Sequence, residues 1–369
     1  MPALSLLIKP ASSNCNLRCK YCFYHSIAEN RTTGSYGIMS IDTLETVVKK
    51  AFEYAEQVCT FAFQGGEPTL AGLDFFKKAI DFVKLYNKKN IKVNFALQTN
   101  GIVIDEEWYE FLAENNFLVG ISLDGPKDIH NSHRIDSKND GTFNKVMKTI
   151  ELFNKFKVEY NILYVVTAQS SRYANKIYDF FKKNNFRYIQ FISCLDPLNE
   201  DKGNYPYSLK PEALEKFLKI TFDRWYEDFM KGDYVSVRYF DNIITMILGN
   251  RPEACSMVGK CHCQCVVEAD GGVYPCDFYV IDEWKLGNIK DNDIQNMINC
   301  ETAKNFVKAS VPIADECKEC KWYPLCRGAC RRERDTFGEE GIGLNYYCSA
   351  YKAFFDYAYT RMLDVARLI

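Results

Sequence analysis

The chain has 369 residues, 47% hydrophobic and 25% charged, with 46 Lys and Arg against 48 Asp and Glu and a formal net charge of −2. This is ordinary globular composition, with room for a large core and more than one domain, and it lacks the basic excess of a nucleic-acid binder and any Lys/Arg run resembling a membrane patch. The start, MPALSLLIKPASSN, has no charged leader before its short apolar stretch, and no segment approaches the roughly 20 apolar residues of a membrane span, so a cytoplasmic protein is expected.

In chain order, SLLIKP (5–10) predicts a first strand leading into a cysteine-rich loop. IDTLETVVKKAFEYA (41–55) carries the apolar stripe of a helix, and CTFAFQGGEP (59–68) reads as a buried strand ending in a glycine turn. Helix 73–88, strand 92–101, helix 106–115, strand 117–125, helix 142–155, strand 158–167, helix 174–185 and strand 188–195 follow. Six strand–helix cycles with short apolar strands predict an α/β fold, with helices covering a parallel sheet that is either a barrel or an open, doubly wound sheet. The unusual residues all fall at strand C-termini, where barrel enzymes assemble their sites. A proline-bearing stretch (196–211) marks a boundary before an amphipathic helix (212–232), and from about residue 250 the chain turns cysteine-rich, ending in a helix (349–368).

Sixteen cysteines are too many for incidental thiols in a reducing compartment and point to metal or redox chemistry. Three stand at Cys15, Cys19 and Cys22, eleven lie beyond residue 250, and only Cys59 and Cys194 occupy the middle. Three thiolates in one loop can ligate three irons of a 4Fe-4S cluster and leave the fourth open. The competing reading is a zinc site completed by His25. Cys59, Cys194 and Cys300 have no partner spacing and are expected to be buried small hydrophobes.

CNLRCKYC resembles the CxxxCxΦC signature of the radical S-adenosylmethionine (SAM) superfamily, with Tyr21 at the aromatic position. That resemblance spans roughly residues 4–200 and implies a partial (β/α)6 barrel. It implies that the GGE-type turn at Gly66 meets the methionyl ammonium, that Ser122 and Arg134 hold ribose and carboxylate, and that Leu195 contacts adenine. The spacing of Cys261, Gly271, Cys276, Cys317, Cys320, Cys326, Cys330 and Cys348 resembles the SPASM domain of peptide-modifying radical SAM enzymes. With Cys255 it supplies eight thiols. The family's arrangement implies one auxiliary 4Fe-4S cluster on Cys255, Cys261, Cys276 and Cys330, and another on Cys317, Cys320, Cys326 and Cys348. Two four-cysteine zinc sites satisfy the same counting, and Cys263 and Cys265 are ambiguous with Cys261. The expected division is a barrel with its connecting helix over 1–235 and a SPASM domain over 236–369.

Asp277 follows Cys276 directly, in PCDFY, and is either a general base or a turn-making carboxylate. The cysteine pattern and PCDFY together resemble the anaerobic sulfatase-maturating enzymes, whose matching Asp is the base. The resemblance implies oxidation of a Cys or Ser of a sulfatase, in a CxPxR-type motif, to Cα-formylglycine. It implies three 4Fe-4S clusters, SAM, and an electron donor such as ferredoxin or flavodoxin. Tyr24 is read as packing or as lining the substrate pocket. The rival within the superfamily forms thioether or other cross-links on a ribosomal peptide; only 14 residues precede Cys15, too few for the leader-binding domain such enzymes often carry. A multi-cluster electron carrier is the rival from another class, and it has no need of a three-thiol site or GGEP.

Overall fold

A computed structural model describes residues 2–335 and 342–369. Among them are ten strands: β1 (Leu4–Ile8), β2 (Val58–Phe63), β3 (Lys92–Thr99), β4 (Phe117–Ser122), β5 (Glu159–Val166), β6 (Tyr188–Ser193), β7 (Ser236–Val237), β8 (Val266–Val267), β9 (Gly272–Tyr274) and β10 (Gly287–Asn288). The six predicted strand–helix cycles are all present, and each predicted strand starts within about one residue of the observed start. The fold class expected from the sequence is the one found. No helix of the described residues is long and apolar enough to cross a membrane.

Local chemistry accounts for the boundaries. Ser40 caps the helix Ile41–Tyr54 by accepting a hydrogen bond from the Thr43 N–H, and Asp105 does the same for Trp108 at the head of Glu106–Glu114. Asn116, between that helix and β4, takes φ +51, a left-handed value that asparagine tolerates. The helix Arg238–Ile247 was not anticipated, because RYFDNIITMI is rich in β-branched and aromatic residues; burial of Phe240, Ile243 and Ile244 overrides that propensity. The short helices Phe23–Glu29, Lys127–His133, Ile294–Ile298 and Glu301–Ala309 were likewise not anticipated.

The chain packs as two compact units. One comprises Met1–Ser122, Arg134–Tyr160 and Cys263–Phe306. Here β1 to β4 pair in parallel in chain order, with Leu4 opposite Cys59 and Phe95 opposite Phe117. On the free side of β1, β8 adds in parallel, with Ile8 opposite Val267, and β9 and β10 continue antiparallel. Aromatic contacts fill the core, with Phe63 4.9 Å and Trp108 5.0 Å from Phe76 between ring centres.

The other unit comprises Leu123–His133, Asn161–His262 and Val307–Ile369. It carries most of β5, with β6 and β7 beside it in parallel. The helix Cys348–Leu368 lies against Pro211–Met230 and Arg238–Ile247, and Phe354 stacks on Phe240 at 5.8 Å and meets Phe222 edge-on at 5.7 Å. Truncating Phe354, which is fully buried, removes the ring shared by all three helices. Phe354→Ala is expected to cost about 3–5 kcal/mol in anaerobic urea unfolding; a loss below about 1 kcal/mol would show that this contact is not central to the unit.

Candidate active site

The loop after β1 carries the three thiols, all half-buried. The Leu17 N–H and the Asn100 amide donate toward Cys15 Sγ at 3.4 and 3.8 Å, and the Arg134 guanidinium stands 4.0 Å from Cys19 Sγ. Cys22 is the residue before the helix Phe23–Glu29, and the Tyr24 and His25 N–H groups point at its sulfur. The loop is held from a second side, where the Arg18 N–H donates to Ile135 O at 2.7 Å and Leu17 bridges Asp136. The His25 side chain is exposed.

Burial pushes the Cys15 thiol up to about 11 and raises Cys22 as well, against the N–H donors that favour thiolate. Three thiols ringed by N–H donors and a guanidinium fit an anionic iron–sulfur cluster, since those donors stabilise sulfur-borne negative charge. Among the described residues no group of three or more His, Cys, Asp or Glu is placed to hold a single metal ion. A cubane asks for wider spacing, because each thiolate meets its own iron.

The GGEP turn closes over this loop. Gly66 has φ +39, and a Cβ there would stand 2.1 Å from the Asn14 carbonyl oxygen, so only glycine lets the two backbones approach. Glu67, 1% exposed, donates its N–H to that same Asn14 carbonyl at 2.7 Å. Its carboxylate accepts from the Thr69 N–H at 3.1 Å, the Thr69 and Thr99 hydroxyls at 2.7 Å each, and the Asn100 N–H at 2.7 Å. Burial raises this carboxyl and the four donors oppose the rise.

Asp277 opens a short helical turn after Cys276 and is buried. Its Oδ2 accepts from the Tyr24 hydroxyl at 2.6 Å and the Gln64 amide at 3.1 Å; its Oδ1 lies 3.4 Å from Lys9 Nζ. The Gln64 amide also reaches the Tyr24 hydroxyl at 2.9 Å, and the Lys9 ammonium sits 4.2 Å from the Tyr24 ring centre. Burial, and then the Asp277 charge, raise the Tyr24 phenol far above its ordinary value, so it remains a donor. Tyr24 was singled out in the sequence; Lys9 and the contact of Gln64 were not. A lysine 1% exposed at a strand end is the signal that marks Lys9.

Arg134 is buried with its guanidinium 5.4 Å from the Tyr21 ring centre, and Ser122, ending β4, accepts from Gln98 at 3.3 Å. Leu195 belongs to the other unit, directly after β6, and is half-buried. In that unit the Cys255 and Cys261 thiols lie within electrostatic reach of Cys330, whose thiol is raised chiefly by burial. Cys317, Cys320 and Cys348 form a second neighbourhood with Cys326, which burial pushes up to about 12. Cys276 lies with Asp277 in the first unit. Cys59 and Cys194 are buried as expected, but Cys300 is only half-buried and lies within electrostatic reach of Cys263, because it sits in an open turn between two short helices. Cys265 is fully enclosed, its carbonyl accepting from the Leu7 N–H.

Residues 10–181 match the radical SAM superfamily model, and residues 255–321 match SPASM, an iron-sulfur cluster-binding domain. The chain is 54% identical to the cysteine-type anaerobic sulfatase-maturating enzyme of Clostridium perfringens, covering all of both chains. It is 52% identical to the cysteine-type enzyme of Clostridium novyi, over all of this chain and 99% of the relative. It is also similar to a solved structure of native anSMEcpe with bound AdoMet and Kp18Cys peptide, at 54% identity and a TM-score of 0.97 over all of both chains.

Because burial holds the Cys15 and Cys22 thiols protonated, loading this loop with iron and sulfide must release protons. At fixed iron and sulfide, anaerobic reconstitution followed by visible absorbance is expected to increase between about pH 7 and pH 9. A flat or falling dependence would mean that the loop does not bind as thiolates displaced from raised thiols.

Proposed function

The chain belongs to the anaerobic sulfatase-maturating enzymes of the radical SAM superfamily, and from that membership we propose that it oxidises a cysteine of a sulfatase polypeptide, in a CxPxR-type motif, to Cα-formylglycine. Cysteine is favoured as the target because the relatives at 54% and 52% identity are both named cysteine-type. The observation that carries the reading is the buried carboxylate of Asp277, hydrogen-bonded to Tyr24, which lies two residues from the Cys22 thiol.

The residues fit three 4Fe-4S clusters: Cys15, Cys19 and Cys22 for the SAM-binding one, Cys255, Cys261, Cys276 and Cys330 for a second, and Cys317, Cys320, Cys326 and Cys348 for a third. When bound, SAM and its cluster supply a radical that takes one hydrogen atom from the substrate Cβ, and the auxiliary clusters supply an electron acceptor. When SAM is bound, the backbone at Gly66 would meet the methionyl ammonium, Ser122 and Arg134 would hold ribose and carboxylate with Tyr21 behind Arg134, and Leu195 would contact adenine.

The protein's own chemical step is the remaining proton. Loss of one hydrogen atom, one electron and one proton from a cysteine leaves a thioaldehyde, which water hydrolyses to the aldehyde with release of hydrogen sulfide. Asp277 accepts the thiol proton at Oδ1, the oxygen whose contact with Lys9 is long at 3.4 Å, while Oδ2 is occupied by Tyr24 and Gln64. The Lys9 ammonium offsets the charge of a carboxylate that burial would otherwise penalise. A small one-electron carrier such as ferredoxin or flavodoxin reduces the enzyme. A barrel part over 1–235 and a SPASM part over 236–369 divide this work, in a cytoplasmic protein acting on polypeptide and not on nucleic acid or membrane.

Incubating a CxPxR-type peptide anaerobically with reduced, reconstituted protein and SAM is expected to give the mass change of cysteine to formylglycine and one 5′-deoxyadenosine per product. An unmodified peptide with continued SAM cleavage would contradict the substrate assignment. Asp277→Asn is expected to retain SAM cleavage and lower aldehyde formation by about 100-fold or more; an unchanged product yield returns Asp277 to a turn-making role.

A further inference from the structure

Two side chains outside the site described above grip the backbone on either side of Leu195. The Tyr347 hydroxyl donates to the Cys194 carbonyl at 3.2 Å, and Arg332 Nη2 donates to the Asp196 carbonyl at 2.6 Å. Both side chains are buried, Tyr347 at 3% exposure and Arg332 at 5%. The Asp196 carboxylate is itself occupied, accepting from the Gly203 N–H at 2.9 Å and from the Ser208 hydroxyl. The carbonyls of the two residues flanking Leu195 are thereby each held by a buried side chain.

The two donors come from the stretch that bears the auxiliary ligands. Arg332 is two residues past Cys330, and Tyr347 immediately precedes Cys348. The stretch is closed on itself: Asn345 donates to Glu333 Oε2 at 2.9 Å and to the Gly328 carbonyl at 3.1 Å, and the Tyr346 N–H donates to Glu333 O at 3.0 Å. The Cys348 N–H then donates to Asn345 O at 2.9 Å. A displacement of either ligand-bearing turn is thus passed to a hydrogen bond beside Leu195.

We infer that Arg332 and Tyr347 are positioning residues for SAM: they fix the main chain that carries Leu195, so that order in the auxiliary-ligand stretch sets the affinity of the SAM site. This rests on the reading of Leu195 as the adenine contact. Neither residue reaches the reacting atoms; both act through the carbonyls they hold.

The test uses the fully reconstituted protein and its variants Tyr347→Phe, Arg332→Met and Leu195→Ala. Iron content, the electron paramagnetic resonance of the reduced clusters without SAM, and SAM affinity by equilibrium dialysis are measured on each. Tyr347→Phe and Arg332→Met are each expected to keep iron and the SAM-free spectrum and to weaken SAM binding by about three- to tenfold, the scale of one lost hydrogen bond. If Leu195→Ala leaves SAM affinity unchanged, the reading of Leu195 fails. If Leu195→Ala weakens binding while the other two do not, the positioning inference is overturned and that reading stands. Should Arg332→Met fail to fold, Tyr347→Phe, which removes one oxygen, decides. Loss of iron in Tyr347→Phe also overturns the inference, because the residue would then act on the cluster and not through Leu195.

Discussion

One buried carboxylate organises the reactive end of the first unit. Glu67 is enclosed, accepts four hydrogen bonds, and sends its own N–H to Asn14, the residue before Cys15. Three loops at the ends of β1, β2 and β3 are thereby joined to one side chain. A buried carboxylate with fewer donors would be costly; with four it becomes a rigid hub, because each donor would be left unsatisfied if it moved away. Gly66 completes the junction, since a side chain there would drive Asn14, and with it the thiol loop, away from the turn.

The second organising feature is a quartet of buried Lys9 and Asp277 with half-buried Tyr24 and Gln64. One cation, one neutral phenol and one amide surround a single carboxylate, so its charge is met by donors of the protein itself. Oxidation of a cysteine to an aldehyde separates the fates of a hydrogen atom, an electron and a proton. On the proposed reading, the thiol sites serve the first two and the quartet the third. β8 makes the combination possible, because its parallel pairing with β1 sets the stretch leading to Asp277 beside Lys9.

Much of this was legible in the chain. The strand and helix starts followed from hydrophobic period, and the thiol loop, the GGEP turn and PCDFY stood out by composition. The parts that were not legible have physical reasons. Lys9 and Gln64 lie 268 and 213 residues from Asp277. The strand that brings them together is only two residues long and has no period to read. Glu67 reads as one letter of a motif, and its four donors appear only when three loops meet. The helix Arg238–Ile247 has strand-like composition and is helical because its apolar face is buried. The grip of Arg332 and Tyr347 on the chain beside Leu195 links positions 136 and 153 residues apart, through backbone carbonyls whose partners no side-chain pattern announces.

The central claim is that Cys15, Cys19 and Cys22 leave one iron without a protein ligand, so that SAM can bind there through its own amino and carboxylate groups. Electron–nuclear double resonance of the reduced, reconstituted protein, with SAM isotopically labelled at the amino nitrogen and the carboxylate oxygen, tests this directly. Hyperfine coupling of both labels to the cluster is the predicted result. A cluster spectrum that carries no coupling from either label, with SAM present at saturating concentration, would mean that the fourth iron is held by the protein, and it would contradict the account.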